Sequence, residues 1–241
     1  MLLIIGDVHG QFQVINEQIM HAETHCGCHV DAVIVLGDMG IFVDTLRRFF
    51  VDAKQRFMRP VYFVDGNHEE FSCFESLTEE YREFFTWLPR GRVTEICGRR
   101  FLSLGGACYM DALNSPCGSE ILDHDIDLCL RNPSDTVDMI VTHDCPAGIG
   151  VPGTPGFEFY GTPGFARSQE LVAHFRPCRW FFGHHHRWLH ASIAGTDFHG
   201  LPESWKGFGL LDENMNYQRV ENSVRLKPDG WLRRLLRFFA G

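Results

Sequence analysis

The chain has 241 residues, 44% of them hydrophobic and 22% charged, with a formal net charge of −9. This composition fits one globular α/β domain and excludes a disordered or fibrous chain. The acidic balance argues against strong nonspecific attraction to nucleic acid, and no apolar run reaches the roughly 20 residues needed to span a bilayer.

In chain order, residues 2–5 read as a buried strand, Asp7 to Gly10 as a turn, and 11–23 as a helix with Phe12, Ile15, Ile19 and Met20 on one face. Ala32 to Leu36 is a second strand, its continuous apolar run suited to a sheet covered on both sides. Asp44 reads as the N-cap of a helix containing Leu46, Phe49, Phe50 and Ala53. Val61 to Val64 is a third strand. Strand, polar cluster and helix thus alternate through the first third of the chain, the rhythm of βαβ units. Strands are expected between Arg92 and Met110 with a close turn at Gly105-Gly106, and a helix over Ser119–Leu130. Met139–Val141 and Trp180–Phe182 read as buried strands flanking a helix at Arg167–Phe175, with hairpins after His186, one strand being Gly207–Leu211.

Three stretches carry secondary expectations. The Gly/Pro-rich loop from Gly148 to Phe165 contains Gly-Thr-Pro-Gly-Phe twice and is read either as a cover for the functional edge or as a surface connection. His25-Cys26-Gly27-Cys28-His29 lacks zinc-site spacing and a second ligand pair, so it reads as a metal-free turn. Residues 225–241 form a basic amphipathic segment expected to dock on the domain that spans 1–224. The nine cysteines have no regular framework and read as free thiols in a reducing compartment. The short Leu2–Ile5 run is no signal-peptide core, so the expected location is cytoplasmic.

Five polar clusters close apolar runs: Gly6-Asp7-Val8-His9-Gly10, Gly37-Asp38, Gly66-Asn67-His68-Glu69, Thr142-His143-Asp144 and Gly183-His184-His185-His186. Strand ends in such units meet at one sheet edge. Alternating pairs such as Asp7 with His9, or His184 with His186, put both side chains on the same side of an extended segment. A carboxylate has two oxygens, which makes Asp38 a natural bridge between two cations. Mixed nitrogen and oxygen donors suit Mn, Fe, Zn or Ni rather than Ca.

In this order the clusters resemble the signature of the calcineurin-like metallophosphoesterase superfamily over residues 6–186. The resemblance implies a four-layer αββα sandwich of two mixed β-sheets flanked by helices, with two divalent metal ions, Mn foremost. It implies Asp7, His9 and His186 as ligands of one ion and Asn67, His143 and His184 as ligands of the other. Asp38 is then shared, and His68 is the leaving-group acid. His185 is expected to point elsewhere, and either Asp65 or Asp144 to orient His68. A metal-bridging hydroxide attacking phosphorus in line is the implied chemistry.

The better-known members whose first and third clusters look like these carry Gly-Asp-x-x-Asp-Arg-Gly at the second cluster, where this chain reads Gly37-Asp38-Met39-Gly40-Ile41-Phe42-Val43. The loss of a phosphate-gripping Arg favours phosphodiesters over monoesters, which need more charge neutralised. The expected function is therefore metal-dependent phosphoester hydrolysis with diesters ahead. Phosphomonoesters and dinucleoside polyphosphates are the alternative substrates, and a non-catalytic metal-binding scaffold is the alternative of another class. A nucleic-acid substrate, with Phe157, Phe159 and Tyr160 stacking bases, is one version of the diester reading.

Overall fold

The computed structural model describes residues 1–108, 117–156 and 158–224. The terminal basic segment, and Phe157 of the glycine-rich loop, lie outside these residues.

Two six-stranded mixed sheets face one another. The first has the order β12 (Tyr217–Glu221), β11 (Gly207–Leu211), β1 (Leu2–Ile5), β2 (Ala32–Val35), β3 (Val61–Phe63), β4 (Thr86–Trp87). In it β1 to β4 are parallel, and β11 and β12 join antiparallel. The second has the order β5 (Val93–Ile96), β6 (Arg99–Leu104), β7 (Met139–Thr142), β8 (Arg179–Phe182), β10 (Thr196–Gly200), β9 (Leu189–Ile193). There β6, β7, β8 and β10 are parallel and the edge strands β5 and β9 antiparallel.

The continuous apolar runs follow from burial on both faces. In β1, Leu2 and Ile4 point between the sheets, toward Phe101, Met139, Val141 and Phe181. Leu3 and Ile5 point outward to Ile15 and Ile19 of α1 (Gln13–His25). The same outer layer holds Leu46 of α2 (Val43–Leu46) and Leu77 of α3 (Phe74–Glu80). On the other side, Ile140, Trp180 and Phe182 pack against Ile126 of α4 (Asp123–Leu130) and Leu171 and Phe175 of α5 (Ser168–Phe175). Helix, sheet, sheet and helix are the four layers, as the resemblance implied.

Several boundaries differ from expectation for identifiable reasons. Asp44 is not the N-cap of α2: Phe42 is, in an extended conformation, and its N–H donates to the Thr45 hydroxyl at 3.2 Å. After Leu46 the helix widens into π-helical turns over Arg47–Asp52, which no hydrophobic period announces. α4 begins at Asp123 rather than Ser119, because the Arg90 guanidinium holds the Gly118 and Glu120 carbonyls in an extended segment that bridges to Ala107. Between Arg92 and Leu104 the strands meet at a tight turn, Cys97-Gly98, both residues at positive φ. Tyr109 and Met110 lie outside the described residues. Helix α3 and the two-residue β4 went unread in the sequence.

The glycine-rich loop closes on itself: Phe165 N–H donates to Cys145 O at 3.0 Å, Ala147 N–H donates to Phe165 O at 3.2 Å, and Phe165 is buried in the second outer core. All nine cysteines are unbridged, and Cys26 and Cys28 pack against the first outer core. Among the described residues no helix is long and apolar enough to cross a membrane.

Candidate metal centre

The C-terminal ends of β1, β2 and β3 supply Asp7, His9, Asp38, Asn67 and His68, and those of β7 and β8 supply His143, His184 and His186. Glycine lets the two edges approach. A Cβ on Gly37 would sit 2.2 Å from His143 Nδ1, and one on Gly183 would sit 2.5 Å from Asp7 Oδ1. His9, Asp38, His184 and His186 all adopt positive φ, between 46° and 60°. Left-handed backbone at four such side chains is a cost that persists only where the surroundings impose it, and it concentrates at functional sites.

Ligand-type atoms of Asp7, His9, Asp38 and His186 lie within 4.8 Å of one another. His186 Nε2 is 2.8 Å from Asp7 Oδ2, and the His9 and His186 Nε2 atoms face each other at 3.3 Å. His9 Nδ1 is buried with no hydrogen-bond partner, 3.7 Å from Asp38 Oδ2. On the other side, His143 donates through Nδ1 to Leu36 O at 2.8 Å. Its Nε2 meets Asn67 Oδ1 at 2.9 Å and Asp38 Oδ1 at 3.3 Å. With Nδ1 already the donor, that convergence of acceptor atoms suits an extra proton or a cation. The His184 ring meets His143 edge-on at 4.9 Å, and the His184 backbone N–H donates to Asp7 Oδ1 at 3.0 Å. Asp38 therefore sits between the two groups: Asp7, His9, Asp38 and His186 form one cluster, Asn67 and His143 adjoin it, and the His184 ring lies against His143. Imidazole nitrogens, carboxylates and one amide oxygen fit borderline divalent ions.

Charge follows the same geometry. Burial works to raise the Asp7 carboxyl, but the adjacent His186 holds it far below the usual range. Burial likewise opposes ionisation of Asp38, yet His143, His68 and His9 bring it down to about 2. His184 falls to about 4 through burial. Against its own burial, His186 is raised to about 9 by Asp7. In the cation-free chain His186 is therefore an imidazolium whose share of stability is complete below its ordinary value of 6.5 and is lost as pH rises through about 9. A metal ion must displace that proton. Apparent Mn²⁺ affinity is expected to rise with pH and level off near pH 9, as read by competition with a chelating dye.

Glu69 closes the third polar cluster, and nothing in the local sequence signals its role. Its carboxylate is buried and accepts from the N–H groups of Met39, Gly40 and Ile41 at 2.8, 3.0 and 2.5 Å. Burial and the Asp38 charge push its pKa up, and those backbone donors work against the shift. The carboxylate fastens the loop after β2 that carries Asp38. Glu69→Ala leaves three buried donors unpaired and is expected to cost about 3 kcal/mol or more, measured as a lower urea midpoint at unchanged slope.

His68 is half-buried, edge-on to His9 at 5.6 Å, and its N–H donates to Asp38 Oδ1 at 2.8 Å. Neither expected orienting carboxylate is directed at it. Asp65 accepts from Arg90 and Trp87, and Asp144 accepts from His185 Nε2 at 2.9 Å and from the Cys108 N–H. His185 is thus turned to Asp144, away from Asp7 and Asp38, as the motif implied. Glu203, 3.8 Å from His186 Nδ1, and Trp205, 6.2 Å from His9, also border the centre without any local sequence signal.

A cavity of about 990 Å³ opens beside His9, lined by Phe42, Thr45, Arg47, Arg48 and Phe71 among others.

Residues 1–188 match the family described as calcineurin-like phosphoesterase. No curated protein sequence matches the chain. Solved structures share the fold at low identity. A Thermus thermophilus protein is 13% identical with a TM-score of 0.59, covering 91% of this chain and 97% of its own. The GAP50 anchor of the Plasmodium inner membrane complex is 10% identical with a TM-score of 0.56, covering 99% and 93%. A phosphopantetheinyl hydrolase from Mycobacterium tuberculosis is 14% identical with a TM-score of 0.52, covering 95% and 98%.

Proposed function

The chain belongs to the calcineurin-like phosphoesterase family, and on that footing we propose that it hydrolyses phosphoesters with two divalent cations, preferring diesters to monoesters. The observation that carries this reading is the convergence of Asp7, His9, Asp38 and His186 beside the Asn67–His143 pair. Asp7, His9 and His186 would hold one ion, Asn67, His143 and His184 the other, and Asp38 both. When bound, such ions supply Lewis acidity toward phosphate oxygens and lower the pKa of water. Mn²⁺ is the first ion to supply, because the mixed donor set accepts it readily.

The chain's own residues do the rest. Asp38 fixes His68 by accepting its backbone N–H, and a ring nitrogen of His68 gives a proton to the departing oxygen. The loop after β2 presents apolar residues where the better-known members carry an Asp-Arg pair, so the loop itself offers a dianionic monoester no guanidinium. The arginines lining the cavity, Arg47 and Arg48, lie beyond it in the helical turns that follow. The adjoining cavity has room for a second ester substituent.

Turnover of bis-p-nitrophenyl phosphate and p-nitrophenyl phosphate with added Mn²⁺ tests the proposal. A higher kcat/KM for the diester supports it, and the reverse ratio makes the protein a monoesterase. Fewer than one bound transition metal per chain, with no activity on any added metal, overturns hydrolysis in favour of a scaffold.

A further inference from the structure

The β9–β10 hairpin, outside the centre described above, carries a second group of ligand-type side chains. Its antiparallel register sets His190 directly opposite His199, with Asp197 two residues before His199 on the same strand. Residues two apart on a strand emerge on one face, and a directly opposed pair shares its face. All three side chains therefore rise together. Their ligand atoms lie within 4.8 Å of one another, and His190 Nε2 is 3.8 Å from Asp197 Oδ1.

A separate observation points to a missing partner. His199 is only 8% exposed, and its Nε2 is buried with no hydrogen-bond partner. Buried polar atoms are rarely left so. The ring is held in place by Phe181, with centroids 5.3 Å apart, and by Tyr217 at 4.2 Å. Burial, with His190 and Arg179 nearby, lowers the pKa of His199 to about 4, so the imidazole is neutral at physiological pH, as a metal ligand must be.

We propose that His190, Asp197 and His199 form a three-ligand site for a zinc-class divalent ion, distinct from the phosphoesterase centre. Two residues on one strand and a third on its neighbour present three donors to one side, leaving a fourth position for water or another ligand. Two nitrogens and one oxygen suit Zn²⁺, Ni²⁺ or Cu²⁺. Ca²⁺ and Mg²⁺ want an oxygen-rich shell, which this face lacks. Arg179, the register partner of Asp197 on β8, places a positive charge near the site, which the nitrogen donors and the Asp197 carboxylate must outweigh. The His190 and His199 rings now lie parallel, 4.9 Å apart, and the His190 side chain, 63% exposed on an edge strand, can turn to direct a nitrogen at the ion. Such an ion would pin the hairpin that joins His186 to Ser204, whose N–H donates to Asp7 O at 2.9 Å.

The test is a Zn²⁺ titration of the full chain against a chromogenic chelator, comparing the wild type with His190→Ala and Asp197→Asn. The wild type should hold one more Zn²⁺ than His190→Ala, or hold that equivalent at least about tenfold more tightly. Asp197→Asn should show the same loss, while Mn²⁺-dependent diester turnover stays unchanged in both. Because His190 is exposed, its replacement leaves the fold intact, checked by an unchanged melting temperature. Equal Zn²⁺ stoichiometry and affinity in all three proteins would overturn the site. If none of them hydrolyses phosphoesters but the Zn²⁺ difference persists, the hydrolase reading fails and this site stands.

Discussion

Asp38→Asn is expected to lower metal-dependent turnover of bis-p-nitrophenyl phosphate by on the order of 10³-fold or more. Asp38 is the side chain with one oxygen toward each group: Oδ1 lies 3.3 Å from His143 Nε2 and Oδ2 lies 3.7 Å from His9 Nδ1. Asparagine keeps the volume, and its amide oxygen can still accept the His68 N–H, so the fold survives. What disappears is a negative charge and an acceptor on one side of the junction. The proposed ions would then be held by neutral groups together with Asp7 alone. Metal content measured beside activity shows whether both fall together, and full turnover in this variant would remove Asp38 from the mechanism.

His68→Ala has a different signature. Loss of a positioned acid typically costs about 10² to 10⁴ in rate. The cost should grow as the leaving group becomes more basic. p-Nitrophenolate departs without a proton, so the variant retains more of its activity on nitrophenyl esters than on alkyl esters. Bound metal should stay at the wild-type level, because His68 lies beside the ligand cluster, edge-on to His9, rather than within it. An equal loss across leaving groups would instead make His68 a positioning residue.

Much of this architecture was legible because burial on both faces leaves a plain mark. Leu2–Ile5, Ala32–Val35 and Met139–Val141 are continuous apolar runs, and each leads into a polar cluster where its strand ends. The residue types in those clusters conveyed the donor chemistry. Their convergence was an inference from topology, since His9 and His186 meet across 177 residues of chain. Other features left weaker traces. β4 is two residues long, too short for any period to register. The π-helical turns over Arg47–Asp52 depend on how the chain packs, and the late start of α4 depends on Arg90. Glu69 looked like part of a motif, yet its contacts are with three distant backbone donors. The hairpin triad was invisible because it depends on strand register, and a single-residue slip would have put His190 on the opposite face.

The candidate donors are divided between the sheets, with Asp7, His9, Asp38 and Asn67 on one and His143, His184 and His186 on the other. Under the proposed assignment, each cation draws on both halves of the sandwich. A chain with only one sheet formed would thus have no weakened version of the activity; it would have none. Turnover in a cell would then count finished molecules alone, and partly folded or proteolysed copies would stay chemically silent.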